Sequence, residues 1–162
     1  WTAVSIRAVA SRCSVSAGTI YNYYESKADL LGDTIESIWR EIFFNPEDEQ
    51  VFKDVAACIS WIYKRLEYGN EQFPGFFSLH SFGFMKDEKM DGKKKMLQTW
   101  GHILNGLCDI LKNDPKIRPD VFDEQFTEKQ FADILFSLIL VSMIRQDYNP
   151  SSILMLINKT LY

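Results

Sequence analysis

The sequence predicts an all-α fold, on three observations. Apolar residues recur at spacings of three and four nearly throughout the chain. Two capping boxes, Ser26-Lys27-Ala28-Asp29 and Thr127-Glu128-Lys129-Gln130, mark helix starts at which the first and fourth side chains satisfy each other's free backbone N–H groups. No stretch alternates apolar and polar residues for long enough to build a sheet.

The elements follow in order. Ile6, Val9, Ala10 and Cys13 lie on one helical face, with Ser5 as N-cap. Ser14-Val15-Ser16 breaks the pattern. Ser16 caps a second short helix whose inward stripe is Ile20 and Tyr24. A third helix starts at Ser26 and carries Leu30, Leu31, Ile35, Ile38, Trp39 and Ile42 inward. It runs to about Phe44 and stops at Asn45-Pro46. The next helix covers roughly residues 48–68, with Val51, Val55, Cys58, Ile59, Ile62 and Leu66 inward and Tyr68-Gly69-Asn70 as its end. Residues 73–84 form an aromatic segment with a short helix, and residues 91–113 a longer one. Asn113-Asp114-Pro115 and Arg118-Pro119 mark a loop. The second capping box opens a helix to about Asp147. Asn149-Pro150, a cap followed by proline at the first helical position, opens the last helix, which runs to about Leu161.

Composition narrows the function. Of 162 residues, 46% are hydrophobic and 14% aromatic, enough for a real core and for walls that hold flat or greasy ligands. The net charge of −4 excludes a surface that binds nucleic acid all over, so any DNA contact must be local. Residues 1–45 set Arg7, Arg12, Lys27 and Arg40 against Glu25, Asp29, Asp33, Glu36 and Glu41. Cys13, Cys58 and Cys108 are far apart, and neither they nor His80 and His102 have metal-ligand spacing. Neither a disulfide framework nor a metal or other cofactor is expected, and a reducing cytoplasm fits. No signal peptide is read at the start. The apolar run from Phe131 to Ile144 is too short to span a bilayer. The lysines at 86, 89 and 93–95 are interleaved with Asp87, Glu88 and Asp91 and read as a solvated surface. With no nucleophile–base pair and no phosphate loop, no enzyme is expected.

The most specific segment is residues 5–31, SIRAVASRCSVSAGTIYNYYESKADLL. It reads as two short helices across a tight turn, then a third helix. The second opens on small residues, Ser16, Ala17, Gly18 and Thr19, which let a backbone approach a surface closely. Its free N–H groups and dipole favour phosphate. Its exposed face carries Tyr21, Asn22 and Tyr23. A helix that enters a major groove needs this combination of base-edge contacts and flanking phosphate contacts.

This stretch resembles the signature of the tetracycline-repressor (TetR) family. The resemblance rests on Ser5, Ile6, Arg7, Val9, Ala10, then Val15, Ser16, Gly18, Thr19, Ile20, Tyr21 and Tyr23, then Ser26, Lys27, Leu30 and Leu31, without gaps. It implies a helix-turn-helix within residues 1–44, followed at 45–162 by a helical ligand-sensing and dimerisation domain. Ser5 and Ser16 are the caps of its two helices. It implies a DNA-binding set that includes Ser5 and Ser16, with Arg7 contacting base or phosphate, Ala17, Gly18, Thr19 and Asn22 facing bases, and Tyr21, Tyr23 and Lys27 gripping the backbone. Three departures stand out. Ser14 occupies the turn position where the family has glycine. Ala17 can read little beyond a thymine methyl. The family's first helix, expected before the motif, has no counterpart ahead of Ser5.

Beyond the motif, Cys58, Trp61, Phe76, Phe77, His80, Trp100 and Phe136 are candidates to line an effector pocket. The helices near 127–147 and 150–161 are apolar on nearly every side, so more than one face must be covered. A second copy of the chain is expected there, through Leu135, Ile139, Met143, Ile153, Leu156 and Ile157. The expected partners are double-stranded operator DNA, a small apolar or aromatic effector and a second copy, with no membrane. The alternative is a helical small-molecule or lipid carrier, or a protein-interaction module, without DNA binding.

Overall fold

The computed structural model describes residues 5–43, 52–77 and 91–162, with residues 91–96 and 99 described by their backbone alone. Among these residues the structure is all helical, as the apolar period predicts. The helices are α1 (Ile6–Arg12), α2 (Ala17–Tyr21), α3 (Lys27–Phe43), α4 (Val55–Gln72), α5 (Asp91–Asn113), α6 (Glu128–Arg145) and α7 (Ser151–Thr160).

Caps set most of the boundaries. Ser5 Oγ accepts from Ala8 N at 3.1 Å and Ser16 Oγ from Thr19 N at 3.1 Å. Ser26 Oγ accepts from Asp29 N and donates to the Asp29 carboxylate. The Thr127 box is complete, with Gln130 N donating to Thr127 Oγ1 and Thr127 N to Gln130 Oε1. Asn149 Oδ1 accepts from Ser151 N at 2.9 Å in a local turn, but the N-cap of the last helix is Pro150 and its first helical residue Ser151, one position later than expected.

The core runs through α3 to α7. α3 packs on α4 and α5, α5 on α6, and α4 on α7. Its fully buried members include Ile42, Val55, Ile59, Leu66, Phe77, Leu135, Ile157 and Leu161. On α3 the expected face holds. Ile35, Trp39 and Ile42 are buried, while Leu30, Leu31 and Ile38 are half-buried.

Two expectations about α4 need correction. It starts at Val55, because Asp54 is its N-cap, accepting from Ala57 N at 2.7 Å. It also runs through Tyr68-Gly69-Asn70 to Gln72. Gly69 is helical and buried, and it has a packing role. A Cβ there would lie 2.6 Å from Ile42 Cδ1 and 3.0 Å from Phe77 Cζ. The glycine leaves room for Ile42 of α3 against α4. The chain then leaves through Phe73-Pro74-Gly75-Phe76, closed by Phe76 N donating to Phe73 O at 3.0 Å. Proline second and Gly75 at φ +81° third make this a type II turn. Phe76 and Phe77 are helical, and the rest of the expected aromatic helix lies outside the described residues.

Further contacts tie the helices together. Arg65 of α4 donates through Nε to Ile42 O and through Nη2 to Glu41 O, the last carbonyls of α3. Tyr63 on α4 and Ser142 on α6 share a hydrogen bond of 2.7 Å. Buried Asp114 accepts from Val55 N at 2.9 Å, Lys116 N at 2.9 Å and Tyr162 Oη at 2.6 Å.

Gly69→Ala is expected to destabilise the protein. Alanine gains about 1 kcal/mol of helix propensity. Overpacking costs about 1–3 kcal/mol, and the upper part of that range applies, because Ile42 and Phe77 are both enclosed and cannot give way. The expected net loss is on the order of 1–2 kcal/mol, read as a lower urea midpoint at unchanged slope.

Candidate nucleic-acid interface

α1 and α2 pack against each other across a four-residue connection. Ile6 and Ala10 anchor α1, while Ser5, Arg7 and Arg12 are exposed. Cys13, expected on the inward stripe, is instead the exposed C-cap of α1, because the helix ends one residue before it. Val15 N donates to Ala10 O and Ser14 N to Ser11 O, a Schellman closure that requires left-handed backbone at Ser14. Ser14 has φ +57°. The turn therefore keeps the geometry for which glycine is best suited, and serine bears the strain.

α2 is a short helix with no fully buried residue. Ile20 and Tyr24 are half-buried and hold it to the protein. Gly18, Tyr21 and Asn22 are exposed, and Ala17 is half-buried beside them. Tyr21 is 56% exposed and Tyr23 80%, far more than an aromatic side chain has reason to be in a finished core. Thr19, expected to face bases, is half-buried, and its hydroxyl lies 2.9 Å from Ser16 Oγ inside the cap. Lys27, the first residue of α3, is half-buried.

Charge along this segment is segregated. Residues 5–24 contain Arg7 and Arg12 and no carboxylate. Glu25, Asp29, Asp33, Glu36 and Glu41 follow, all on α3 or immediately before it, and Glu36 pairs with Arg40 at 3.0 Å. The near-neutral sum over the first 45 residues therefore hides a cationic α1–α2 face.

Two short capped helices across a tight turn, the second exposed and carrying small and hydroxylic side chains, constitute a helix-turn-helix of the DNA-binding kind. Residues 1–34 match the family described as bacterial regulatory proteins, tetR family. This N-terminal segment is thus a DNA-binding helix-turn-helix of the TetR type. No curated protein matches the chain. Among the described residues no helix is long and apolar enough to cross a membrane.

The effector-pocket candidates fall in the body. Cys58, Phe76 and Phe77 are buried, and burial pushes the Cys58 thiol up to about 12. Trp61 meets Phe43 and Phe52, and Phe43 stacks on Trp39, which in turn touches Phe76 and Phe77. Trp100 and Phe136 meet edge-on with centroids 5.7 Å apart. His80 lies outside the described residues. Sequence reasoning missed two buried polar atoms in this region. Trp61 Nε1 and Tyr148 Oη have no hydrogen-bond partner among the described residues.

The expected copy-to-copy surface is corrected. Leu135, Ile139, Met143, Ile153 and Ile157 are buried within the single chain, and of the six only Leu156 is exposed. A helix apolar all round does not reveal from sequence which side faces its own core. The outward apolar side of α6 is Ile134, Leu138, Val141 and Ile144, with Met155 and Leu156 on α7.

Ser14→Gly is expected to stabilise the helix-turn-helix. Relief of left-handed strain is worth about 1–2 kcal/mol, and glycine's freer unfolded chain takes back roughly 0.4–1 kcal/mol. Slower amide exchange across residues 6–21 is the expected readout, and faster exchange would contradict it.

Proposed function

We propose that the protein is a ligand-responsive transcriptional repressor. Two copies hold a palindromic operator through α1, α2 and the start of α3. A small, mostly apolar effector entering the helical body of residues 45–162 releases it. Residues 1–44 are then the DNA-reading part.

The observation that carries the DNA reading is Gly18. It is exposed, it lies in right-handed helix, and a Cβ there would meet only Ser16 Oγ, at 3.6 Å. Glycine inside a helix costs roughly 0.5–1 kcal/mol relative to alanine, and nothing among the described residues calls for it. An incoming DNA surface would explain the space. Gly18→Ala is therefore expected to leave the melting temperature unchanged or higher, yet to weaken binding to operator DNA about tenfold or more, as fluorescence anisotropy would show. Equal affinity for both proteins, or no salt-dependent DNA binding by either, would point to the carrier or interaction-module reading instead.

Homodimerisation is supported by the outward stripe on α6 and α7. Ile134, Leu138 and Val141 recur at helical spacing and expose large apolar side chains, as Met155 and Leu156 do on α7. To read a palindromic operator, such a pair has to hold its two copies of α2 about one DNA turn, roughly 34–36 Å, apart. Leu138→Glu puts a charge on this stripe without touching the buried side of α6. The expected result in sedimentation velocity is a folded monomer where the unaltered protein is a dimer. A dimer that survives the substitution would place the interface elsewhere.

Effector response is supported by α3, which reaches from the helix-turn-helix into the core, and by the two buried donors, Trp61 Nε1 and Tyr148 Oη, that have no partner among the described residues. A buried polar group left unpaired costs roughly 1–3 kcal/mol. An effector with an acceptor for Trp61 Nε1 or Tyr148 Oη would remove part of that cost. Release follows if the effector binds better to the arrangement that does not fit DNA, since equal affinity shifts nothing.

A further inference from the structure

We propose that the base pairs under α2 are A·T pairs, read through a thymine methyl by Ala17 and through adenine by Asn22. This inference deepens the operator binding proposed above and rests on it.

The helix advances about 100° per residue, so Ala17, Tyr21, Gly18 and Asn22 share one arc of about 140°. Gly18, Tyr21 and Asn22 on this arc are exposed and Ala17 at its edge is half-buried. Thr19 and Ile20, on the remaining arc, are half-buried too, and the Thr19 hydroxyl closes on Ser16 Oγ at 2.9 Å. Thr19 is thus turned into the cap, away from the outward arc. Asn22 is still right-handed, at φ −69° and ψ −22°, so it stays in register as the C-cap of α2.

The chemistry of the outward arc is selective. Guanine in a major groove is read mainly by a paired Arg or Lys contact to O6 and N7, and the cytosine amine by a carboxylate. The arc holds neither a cation nor a carboxylate, and residues 5–24 hold no carboxylate at all. The two alternatives it does hold are an alkyl side chain, which packs on the thymine C5-methyl, and a carboxamide, which pairs with adenine N6 and N7. Gly18 lies between Ala17 and Asn22 on this arc and adds no side chain. The short Ala17 can therefore come within methyl-contact range, and Tyr21, 56% exposed, reaches past it toward the backbone.

The test selects duplexes from a random pool with the protein and then alters the selected site one atom group at a time. Deoxyuridine in place of thymidine removes only the C5-methyl. It is expected to weaken binding about fourfold per half-site at one position, from the loss of one buried methyl. 7-Deazaadenine at the neighbouring adenine is expected to cost about tenfold. The first loss should vanish in Ala17→Gly and the second in Asn22→Ala, which assigns each base to its reader. Because the uridine and deazaadenine changes leave the protein intact, a poorly folding variant does not decide the matter. Enriched half-sites that carry G·C where these variants map, or indifference to both base changes, overturn this inference while leaving DNA binding in place. Failure to enrich or bind any duplex at low salt removes the proposed function, and this inference with it.

Discussion

Gly69 lets α4 approach α3 closely enough that a single added methyl would collide with Ile42 and Phe77, and most of what this protein can do mechanically depends on that contact. The helix-turn-helix is attached to the body through α3, whose buried residues Ile35, Trp39 and Ile42 all sit in the shared core. Arg65 reinforces the joint by donating to the carbonyls of Glu41 and Ile42, groups that a helix end leaves without intrahelical donors. Its guanidinium also lies over the Tyr68 ring, 4.6 Å from the centroid, and its charge complements the negative end of α3. Packing, hydrogen bonding and charge act at one spot. On the effector response proposed above, this joint is where a displacement of α4 would reach α3.

The opposite end of the body is closed by Asp114. Its carboxylate collects the first N–H of α4, a backbone N–H of its own loop and the hydroxyl of Tyr162, so the start of α4 and the end of the chain meet on one buried anion. Burial and the hydrogen bond to Asp114 hold the Tyr162 phenol well above its usual range, so it remains a proton donor. Lys116 adds an ion pair to Asp54 at 2.5 Å, and its hydrogen bond holds the carboxyl of that cap below the usual carboxylate range, keeping it ionised where α4 begins. Arg118 donates to Thr160 O and Leu161 O. With α7 fixed this way, Ile153 and Ile157 turn inward while Met155 and Leu156 are left outside.

The caps were legible in the sequence because their chemistry is local. Ser5, Ser16, Ser26 and Thr127 each bond the backbone three residues on, and each marks its helix start. The helix-turn-helix was legible for the same reason, since its turn, caps and small residues lie within 27 consecutive positions. Gly69 was misread as a terminator because the reason for it is Ile42, 27 residues earlier. Asp114 was read only as a loop residue because its partners are Val55 and Tyr162. The inward side of α6 was misassigned because Phe131 to Ile144 is apolar all round, and only the neighbours α4 and α5 decide which half is enclosed. Local hydrogen bonding leaves a pattern in consecutive residues. Packing between distant helices leaves a glycine or an acid whose meaning depends on a partner the pattern does not name.

The acidity of the whole chain bears on how such a protein would meet DNA. A net charge of −4 repels a polyanion at long range, and only a local cationic face offsets that. The α1–α2 segment supplies such a face, with two arginines and no carboxylate, while the carboxylates are displaced along α3, where Glu36 is matched by Arg40 and Asp29 by the Ser26 hydroxyl. Few cations mean few displaced counterions, so each pair of arginines contributes only a modest salt-dependent term. On the function proposed above, the remaining affinity would come from close fit, through Gly18 and the exposed rings of Tyr21 and Tyr23, and from duplicating the face by pairing. One weakly cationic face on an acidic body would bind little by itself. Two of them fixed at the repeat of the double helix would bind far better than either alone, because the second contact forms at the high effective concentration set by the first. That dependence on spacing is what would allow a displacement inside the body to switch the protein off.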